Sequence, residues 1–361
     1  MKSFVDNGTA SGIVTLVQRN GVLASLEAVG FQDAEAKKPM RTDTIFQIMS
    51  MTKPVTGVAI MMLAEEGRLR LSDPVEKILP EFRGQLVIES KTDTTRTLKK
   101  PARPITIRDL MTHTSGMPEM PPEGAGDYFA LMSRLSLKDA VLMYSQMPLL
   151  FEPGSNWQYS NTGLATLGRI IEVVSDMPYE QFLARRIFEP LAMKDSFFFP
   201  PDDKKDRIAQ VYMTQNGVRK PMGDLIYRKG AKYPMPEGGL YSTAQDLASF
   251  YQMMLDGGVS QGRRLLSKAS VQTMTALHTG ELKAWGGPTG YGLTWQVQRD
   301  PAASLNLQSM EAFGHGGAFG TYGWIDAGRK LVGVFLLQEL GHDVSPVRGT
   351  FVTMAESAVL E

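Results

Sequence analysis

Two apolar runs flank Asn20-Gly21 near the start of the chain, Gly12-Ile-Val-Thr-Leu-Val-Gln before it and Val22-Leu-Ala-Ser-Leu-Glu-Ala-Val after it. Two β-rich segments around a dipeptide that tolerates positive φ predict an antiparallel hairpin. The period then changes. From Met51 to Glu66, residues Val55, Val58, Ala59, Met62 and Leu63 fall on one helical face, with Gly67 placed to end a buried helix. Between Asp73 and Pro234 helical signals dominate: Ser136 capping a segment to Met147, then Thr162 to Ser175 and Tyr179 to Phe188. The polar stretch Glu89 to Arg103 reads as a solvated loop, with anion binding at Lys99 and Lys100 as the alternative. Ser242 and Thr243 cap a helix through Leu255, and a further helix is expected around Ser267 to Leu277.

Strand patterns return after Gly290, at Tyr291 to Gln298, Thr321 to Asp326 and Leu331 to Glu339, the last two joined by an Ala327-Gly328-Arg329 turn. The remaining C-terminal residues read as a helix. Strands at both ends with helices between predict one antiparallel sheet flanked by helices. Its discontinuous α/β domain takes residues 1–73 and 235–361, and residues 74–234 form a mainly helical insertion.

Composition removes several functions. Lys plus Arg and Asp plus Glu number 38 each, so no net field draws the chain to nucleic acid or anionic lipid. No apolar run reaches the ~18 residues of a membrane span, and Met1 to Ala10 lacks a signal-peptide core, which predicts a soluble protein, cytoplasmic or periplasmic. The chain has no cysteine, and its four histidines lack i,i+4 spacing. That excludes disulfides and a cysteine nucleophile and argues against a zinc site.

Two serines compete as nucleophile. Gly258-Val-Ser260-Gln-Gly262 matches G-x-S-x-G, with Asp300 or Asp326 and His342 available to complete a triad. Its flanks do not fit: a helical pattern precedes it and Arg263-Arg264 follows, so a glycine-rich turn after a helix is the better reading. The second site, Ser50-Met-Thr-Lys53, opens the buried helix. Three residues is nearly one turn, so Ser50 Oγ and Lys53 Nζ share a face and can meet. A lysine at the mouth of an apolar segment has the depressed pKa that a base for serine needs.

Tyr159-Ser160-Asn161 enters the helix near Thr162, and Phe313-Gly-His315-Gly316-Gly317-Ala318 enters the C-terminal strands. With Ser50-x-x-Lys53, these segments resemble the three ordered signatures of the serine β-lactamase and penicillin-binding-protein family: S-x-x-K, Y-x-N, and K-T-G or H/W-x-G. The separations, 109 residues from Ser50 to Tyr159 and 156 from Tyr159 to His315, suit class C members and the related family VIII carboxylesterases. Ile105 to Pro118 and Gly238 to Ala248 look like framework segments of the same relatives, and the resemblance covers almost the whole chain. An N-terminal helix usual in such proteins is expected to be shortened here, with a removed leader left open.

The resemblance implies a β-lactamase/transpeptidase-like fold and an acyl-enzyme on Ser50, with Lys53 and Tyr159 as acid/base pair and neither metal nor organic cofactor. It implies an oxyanion hole from the N–H groups of Ser50 and Ala318, and substrate contacts at Asn161, His315, Gly316 and Gly317. Asn161 is equally a helix cap; glycine at 316 and 317 keeps side chains out of the substrate's approach to the strand edge, with a plain turn or bulge as the lesser alternative. Tyrosine and lysine have similar ordinary pKa values, so a proton shared among Ser50, Lys53 and Tyr159 moves at small cost. Where β-lactamases generally carry a lysine for the drug's carboxylate, His315 is mostly neutral at pH 7. This favours carboxylic esters of small or medium acyl chains over β-lactams or D-amino-acid peptides, with a non-turnover acyl-binding sensor as a third possibility. His113 reads as a satisfied structural histidine. Tyr128, Phe129, Trp157, Trp295, Phe319 and Tyr322, with Met49, Met51, Met117 and Met120, are candidate pocket walls.

Overall fold

The computed structural model describes residues 1–121, 134–223, 230–304 and 307–359. Strands from both chain ends form one sheet: β1 (Gly12–Arg19), β2 (Val22–Asp33), β3 (Lys38–Pro39), β4 (Thr289–Tyr291), β5 (Gln296–Gln298), β6 (Ala312–Gly316), β7 (Tyr322–Asp326) and β8 (Leu331–Leu336), in the order β4-β5-β6-β7-β8-β1-β2-β3. All neighbours are antiparallel, and β1 joins the two halves, with Val14 opposite both Leu336 and Ala28. Asn20 and Gly21 both take positive φ, as the expected hairpin requires.

Alternation along the strands sorts side chains between two faces. Val14, Leu16, Val332 and Val334 join the main core, whereas Ile13, Trp324 and Phe335 face the C-terminal helix α6 (Ser345–Ser357) and its Phe351. The other helices that matter here are α1 (Thr52–Glu65), α2 (Ile107–Thr112), α3 (Leu137–Ser145), α4 (Asn161–Ser175) and α5 (Ala244–Leu255). α1 is buried on nearly every side, which is why its apolar positions outnumber one stripe. The core is continuous from β1 through α1 to α4, and Glu339–Leu340 pairs in parallel with Tyr212 and Met213. Among the described residues, no helix is long and apolar enough to cross a membrane.

Three local expectations change. The stretch Glu89 to Arg103 contains an exposed hairpin, Val87–Lys91 with Arg96–Lys99, closed by Thr92 Oγ1 accepting from the N–H groups of Thr94 and Thr95. Its threonines favour strand over open loop, and Lys99 faces the carboxylates of Glu89 and Glu152 instead of an anion site. A second hairpin, Tyr212–Gln215 with Val218–Pro221, lies in the stretch expected to be mainly helical. Tyr291 to Gln298 is not one strand: a turn at Gly292–Trp295, with Thr294 at positive φ, folds it into the β4–β5 hairpin. One helical turn, Lys2–Asp6, precedes β1.

Candidate active site

The rejected elbow shows the geometry expected of a turn. Val259–Ser260 pairs with Arg263–Arg264 across Gln261 and Gly262, both at positive φ, directly after α5. His342 Nε2 donates to the Thr9 carbonyl, and Asp326 accepts from Ser309 and Arg329.

Ser50 lies in a 3₁₀ turn, Met49–Met51, that feeds α1. Met49 has φ +51°, a left-handed conformation that costs a non-glycine residue on the order of 1 kcal/mol. Two contacts hold it there: Thr52 Oγ1 donates to the Met49 carbonyl at 2.7 Å and accepts from Leu240 N–H at 3.1 Å. The strand before the turn is anchored too, Phe46 and Gln47 pairing with Ser242 and Tyr241. Nothing in a methionine announces such a backbone.

One turn along α1, the fully buried Lys53 places Nζ 2.9 Å from Ser50 Oγ and donates to the Glu237 carbonyl at 2.6 Å. Its Nζ also stands 4.7 Å from the centre of the Tyr159 ring. Burial pushes the amine down to about 7, against the opposing pull of the Glu237 and Glu119 carboxylates. The Tyr159 phenol moves the other way: burial pushes it well up, and a hydrogen bond with Ser50 only partly offsets this. The two groups, which start with similar pKa values, are therefore separated, the lysine toward its neutral form and the tyrosine toward a retained proton.

Tyr159 arrives from the loop entering α4. Ser160, not Asn161, caps that helix: its Oγ accepts from Gly163 N–H at 3.0 Å. Asn161 is the first helical residue, its side chain 3.7 Å from Met120 Sδ. The capping alternative for Asn161 is thus taken by its neighbour.

The third motif closes on the turn before Ser50. Thr321 Oγ1 donates to the Ile48 carbonyl at 3.0 Å, and Gly317 N–H to the Thr321 carbonyl at 2.8 Å. A Cβ on Gly317 would collide with the Ile48 carbonyl and Thr321 Oγ1, so glycine there admits close backbone approach. Gly316 has ordinary space around its position. The constraint that the structure shows at Gly317 is therefore packing. Ala318 follows on the exposed side of the turn.

His315 is 1% exposed, and both ring nitrogens are engaged within the protein: Nδ1 with the Gly316 carbonyl at 2.7 Å and Nε2 with Tyr291 Oη at 3.0 Å. Burial, then the Lys53 charge, push it down to about 3. Its expected direct contact with substrate does not fit this ring, because no nitrogen is left to offer.

Family comparison agrees with the geometry. The Beta-lactamase family profile matches residues 1–352. The chain belongs to the β-lactamase family. Esterase EstB of Burkholderia gladioli is 28% identical over 92% of this chain and 86% of its own. Penicillin-binding protein 4 of Amycolatopsis lactamdurans is 31% identical over 77% and 67%. Among solved structures, EstCE1, a hydrolase with promiscuous acyltransferase activity, superimposes with TM-score 0.81 at 25% identity, covering 99% of this chain and 95% of that one. The fold is β-lactamase/transpeptidase-like, and the chain is a serine hydrolase of that fold.

The residues expected as pocket walls of this β-lactamase-family protein fall in different surroundings. Trp157 does stand by Tyr159, ring centres 6.4 Å apart. Phe319 and Trp295 are buried, Trp295 stacked on Phe250. Tyr322 stacks on Trp324 under Arg348, on the α6 face of the sheet, because it alternates with Gly323. Met51 and Met117 are buried, and Tyr128 and Phe129 lie outside the described residues. Two residues escaped the sequence reading. Glu237, from Pro234-Met-Pro-Glu237, carries no motif spacing. Trp285, 52% exposed with φ +51°, has its ring 4.7 Å from Trp157 and 5.5 Å from Tyr159. A lone tryptophan in the Gly/Pro-rich loop Ala284-Trp-Gly-Gly-Pro288 was the available signal.

Proposed function

We propose that this chain hydrolyses carboxylic esters of small or medium acyl chains through an acyl-enzyme on Ser50. The observation that carries the reading is the buried Lys53 amine, 2.9 Å from Ser50 Oγ and pushed down to about 7. Neutral Lys53 takes the Ser50 proton as Oγ attacks the ester carbonyl carbon. The oxyanion forms between the N–H groups of Ser50 and Ala318. As the C–O bond breaks, the leaving alkoxide receives a proton through the Tyr159 phenol, which is replenished from Lys53. Water then attacks the acyl carbon, giving its proton back along the same pair, and the carboxylic acid leaves as Ser50 regains its hydrogen.

Preference for neutral esters rests on the third motif. A buried, uncharged His315 supplies no cation for the carboxylate of a β-lactam, an interaction worth roughly 1–3 kcal/mol where it is partly screened. Similarity to EstB and EstCE1 supports the same reading. The test is a panel of p-nitrophenyl acetate and butyrate against nitrocefin. Ester turnover exceeding nitrocefin turnover is expected, and the reverse ranking, with negligible ester hydrolysis, would instead establish a β-lactamase or D,D-peptidase. Intact mass spectrometry should show a transient acyl adduct; a stoichiometric adduct that never clears identifies a sensor.

Gly317→Ala is expected to lower kcat about 10- to 100-fold with KM changed less than about threefold. Its methyl would push the Ala318 N–H away from Ser50, and loss of one oxyanion donor costs a factor of about 100 to 1,000. Steady-state kinetics on p-nitrophenyl butyrate check this, and an unchanged kcat removes Ala318 from the oxyanion role.

A further inference from the structure

A hydrogen-bonded chain joins the second motif to the third, and its ends dictate its direction. Ser160 N–H can only donate, and it meets His113 Nδ1 at 3.1 Å. The Gly316 carbonyl can only accept, and it lies 2.7 Å from His315 Nδ1. Between them, Tyr291 Oη is 3.1 Å from His113 Nε2 and 3.0 Å from His315 Nε2. With neutral rings a single pattern satisfies every atom: His113 carries its proton on Nε2 and gives it to Tyr291 Oη, Tyr291 gives its own to His315 Nε2, and His315 donates from Nδ1. Flipping either tautomer would set two donors, or two lone pairs, against each other at a backbone group that cannot adapt.

All three side chains are buried, at 0%, 0% and 1% exposure. Burial and the charge of Lys53 both push the two imidazoles down, and burial pushes the Tyr291 phenol up. Among the described residues, the charged and titratable groups against this chain are Lys53 and Tyr159, whose ring centre is 4.5 Å from His113 and 6.2 Å from His315. The proposed acid/base pair leaves all three residues without a part in moving the proton.

We infer that His113, Tyr291 and His315 are positioning residues, a tautomer-locked strut that sets the Tyr159 loop and the Gly316–Ala318 turn at a fixed separation around Ser50. The inference rests on the Ser50, Lys53 and Tyr159 reading above. Two features make the strut suited to this. Its ends are the backbone of Ser160, next to Tyr159, and the backbone of Gly316, two residues before Ala318. It is also neutral, so it satisfies buried polar atoms without setting a second positive charge beside Lys53.

Three measurements test it. Long-range 15N–1H spectra of the imidazoles, in a chain with four histidines, should show His113 as the Nε2–H tautomer and His315 as the Nδ1–H tautomer, neither titrating between pH 5.5 and 8.5. A shared tautomer, or either ring titrating near 6.5, overturns the strut. Tyr291→Phe should lower kcat about 10- to 100-fold on p-nitrophenyl butyrate with KM within about threefold, and slow fluorophosphonate labelling of Ser50 in parallel. Tyr251→Phe, at a buried tyrosine whose hydroxyl has no hydrogen-bond partner among the described residues, should change neither rate. His113→Asn keeps an acceptor for Ser160 N–H and should recover part of the rate lost in His113→Ala. If Tyr291→Phe lowers the melting temperature while leaving kcat and labelling untouched, or if His113→Asn is no better than His113→Ala, the residues are structural only. Labelling reports on Ser50 whatever its acyl donor, and the spectra need no substrate. Failure of the ester reading therefore shows as wild-type labelling without ester turnover, and failure of the strut as unchanged variants or wrong tautomers.

Discussion

Ser50→Ala is expected to reduce ester turnover by at least about 10⁴-fold, while Ser260→Ala leaves it unchanged. The contrast follows from what surrounds each hydroxyl. Ser50 Oγ has the Lys53 amine at 2.9 Å and a hydrogen bond with Tyr159. Ser260 lies in a surface two-residue hairpin with neither base nor donor pair arranged around it. Alanine at 50 leaves the oxyanion donors and the binding surface in place, and these alone account for only part of a serine hydrolase's acceleration. Initial rates on p-nitrophenyl butyrate, with intact mass to confirm that no acyl adduct forms at position 50, decide the matter. Full activity in Ser50→Ala with none in Ser260→Ala would falsify the assignment.

Lys53→Met separates the catalytic and structural consequences of one buried amine. Loss of the base should lower kcat/KM by about 10²- to 10⁴-fold. In the unsubstituted protein the base must be neutral to act, and its pKa lies at about 7. Activity should therefore fall tenfold per unit as pH drops below 7 and level off above it, and Lys53→Met should lose that limb. Stability should move the opposite way. The folded pKa is depressed below the ordinary value of 10.5, so the unfolded chain holds the proton more tightly across the interval. The resulting penalty is complete below about pH 7, shrinks as pH rises, and is gone above 10.5. Methionine removes it but orphans the Glu237 carbonyl that Lys53 now satisfies, a cost of roughly 1–3 kcal/mol. A net gain on the order of 1–3 kcal/mol is expected at pH 6 and a net loss of about 1–3 kcal/mol at pH 10.5, where only the orphaned carbonyl counts. Melting curves at the two pH values check this; equal destabilisation at both would show that the lysine is not buried at a penalty.

How the chain organises its site can be followed residue by residue. The S-x-x-K spacing already implies a serine and a lysine on one helical face, because the α-helix repeats in 3.6 residues. The period-2 strands, the Asn20-Gly21 turn and the caps at Ser136 and Thr243 were equally legible, since each depends on a few neighbouring side chains. Reading failed where a local signal had two uses. Asn161 and Ser160 both suit a helix start, and only the hydrogen bond to Gly163 assigns the cap. The polar run Glu89 to Arg103 reads as loop until Thr92 folds it into a hairpin.

What the sequence determines unaided is short-range: the buried helix, the serine and lysine one turn apart on it, the neutral balance of charge, and the three motifs whose order matches one family. The tertiary structure alone decides how those motifs behave once they meet. Met49 is held left-handed by the Thr52 hydroxyl, itself fixed by the N–H of Leu240 far along the chain, and Tyr322 is turned to the far face of the sheet by its strand register. Lys53 and Tyr159 move apart in pKa because burial brings against them segments more than a hundred residues distant, and His315 becomes an occupied link instead of a free donor because the β4–β6 part of the sheet sets Tyr291 against it. Spacing along a chain encodes which side chains share a face; dielectric surroundings and hydrogen-bond partners depend on everything packed against that face, and no local pattern carries them.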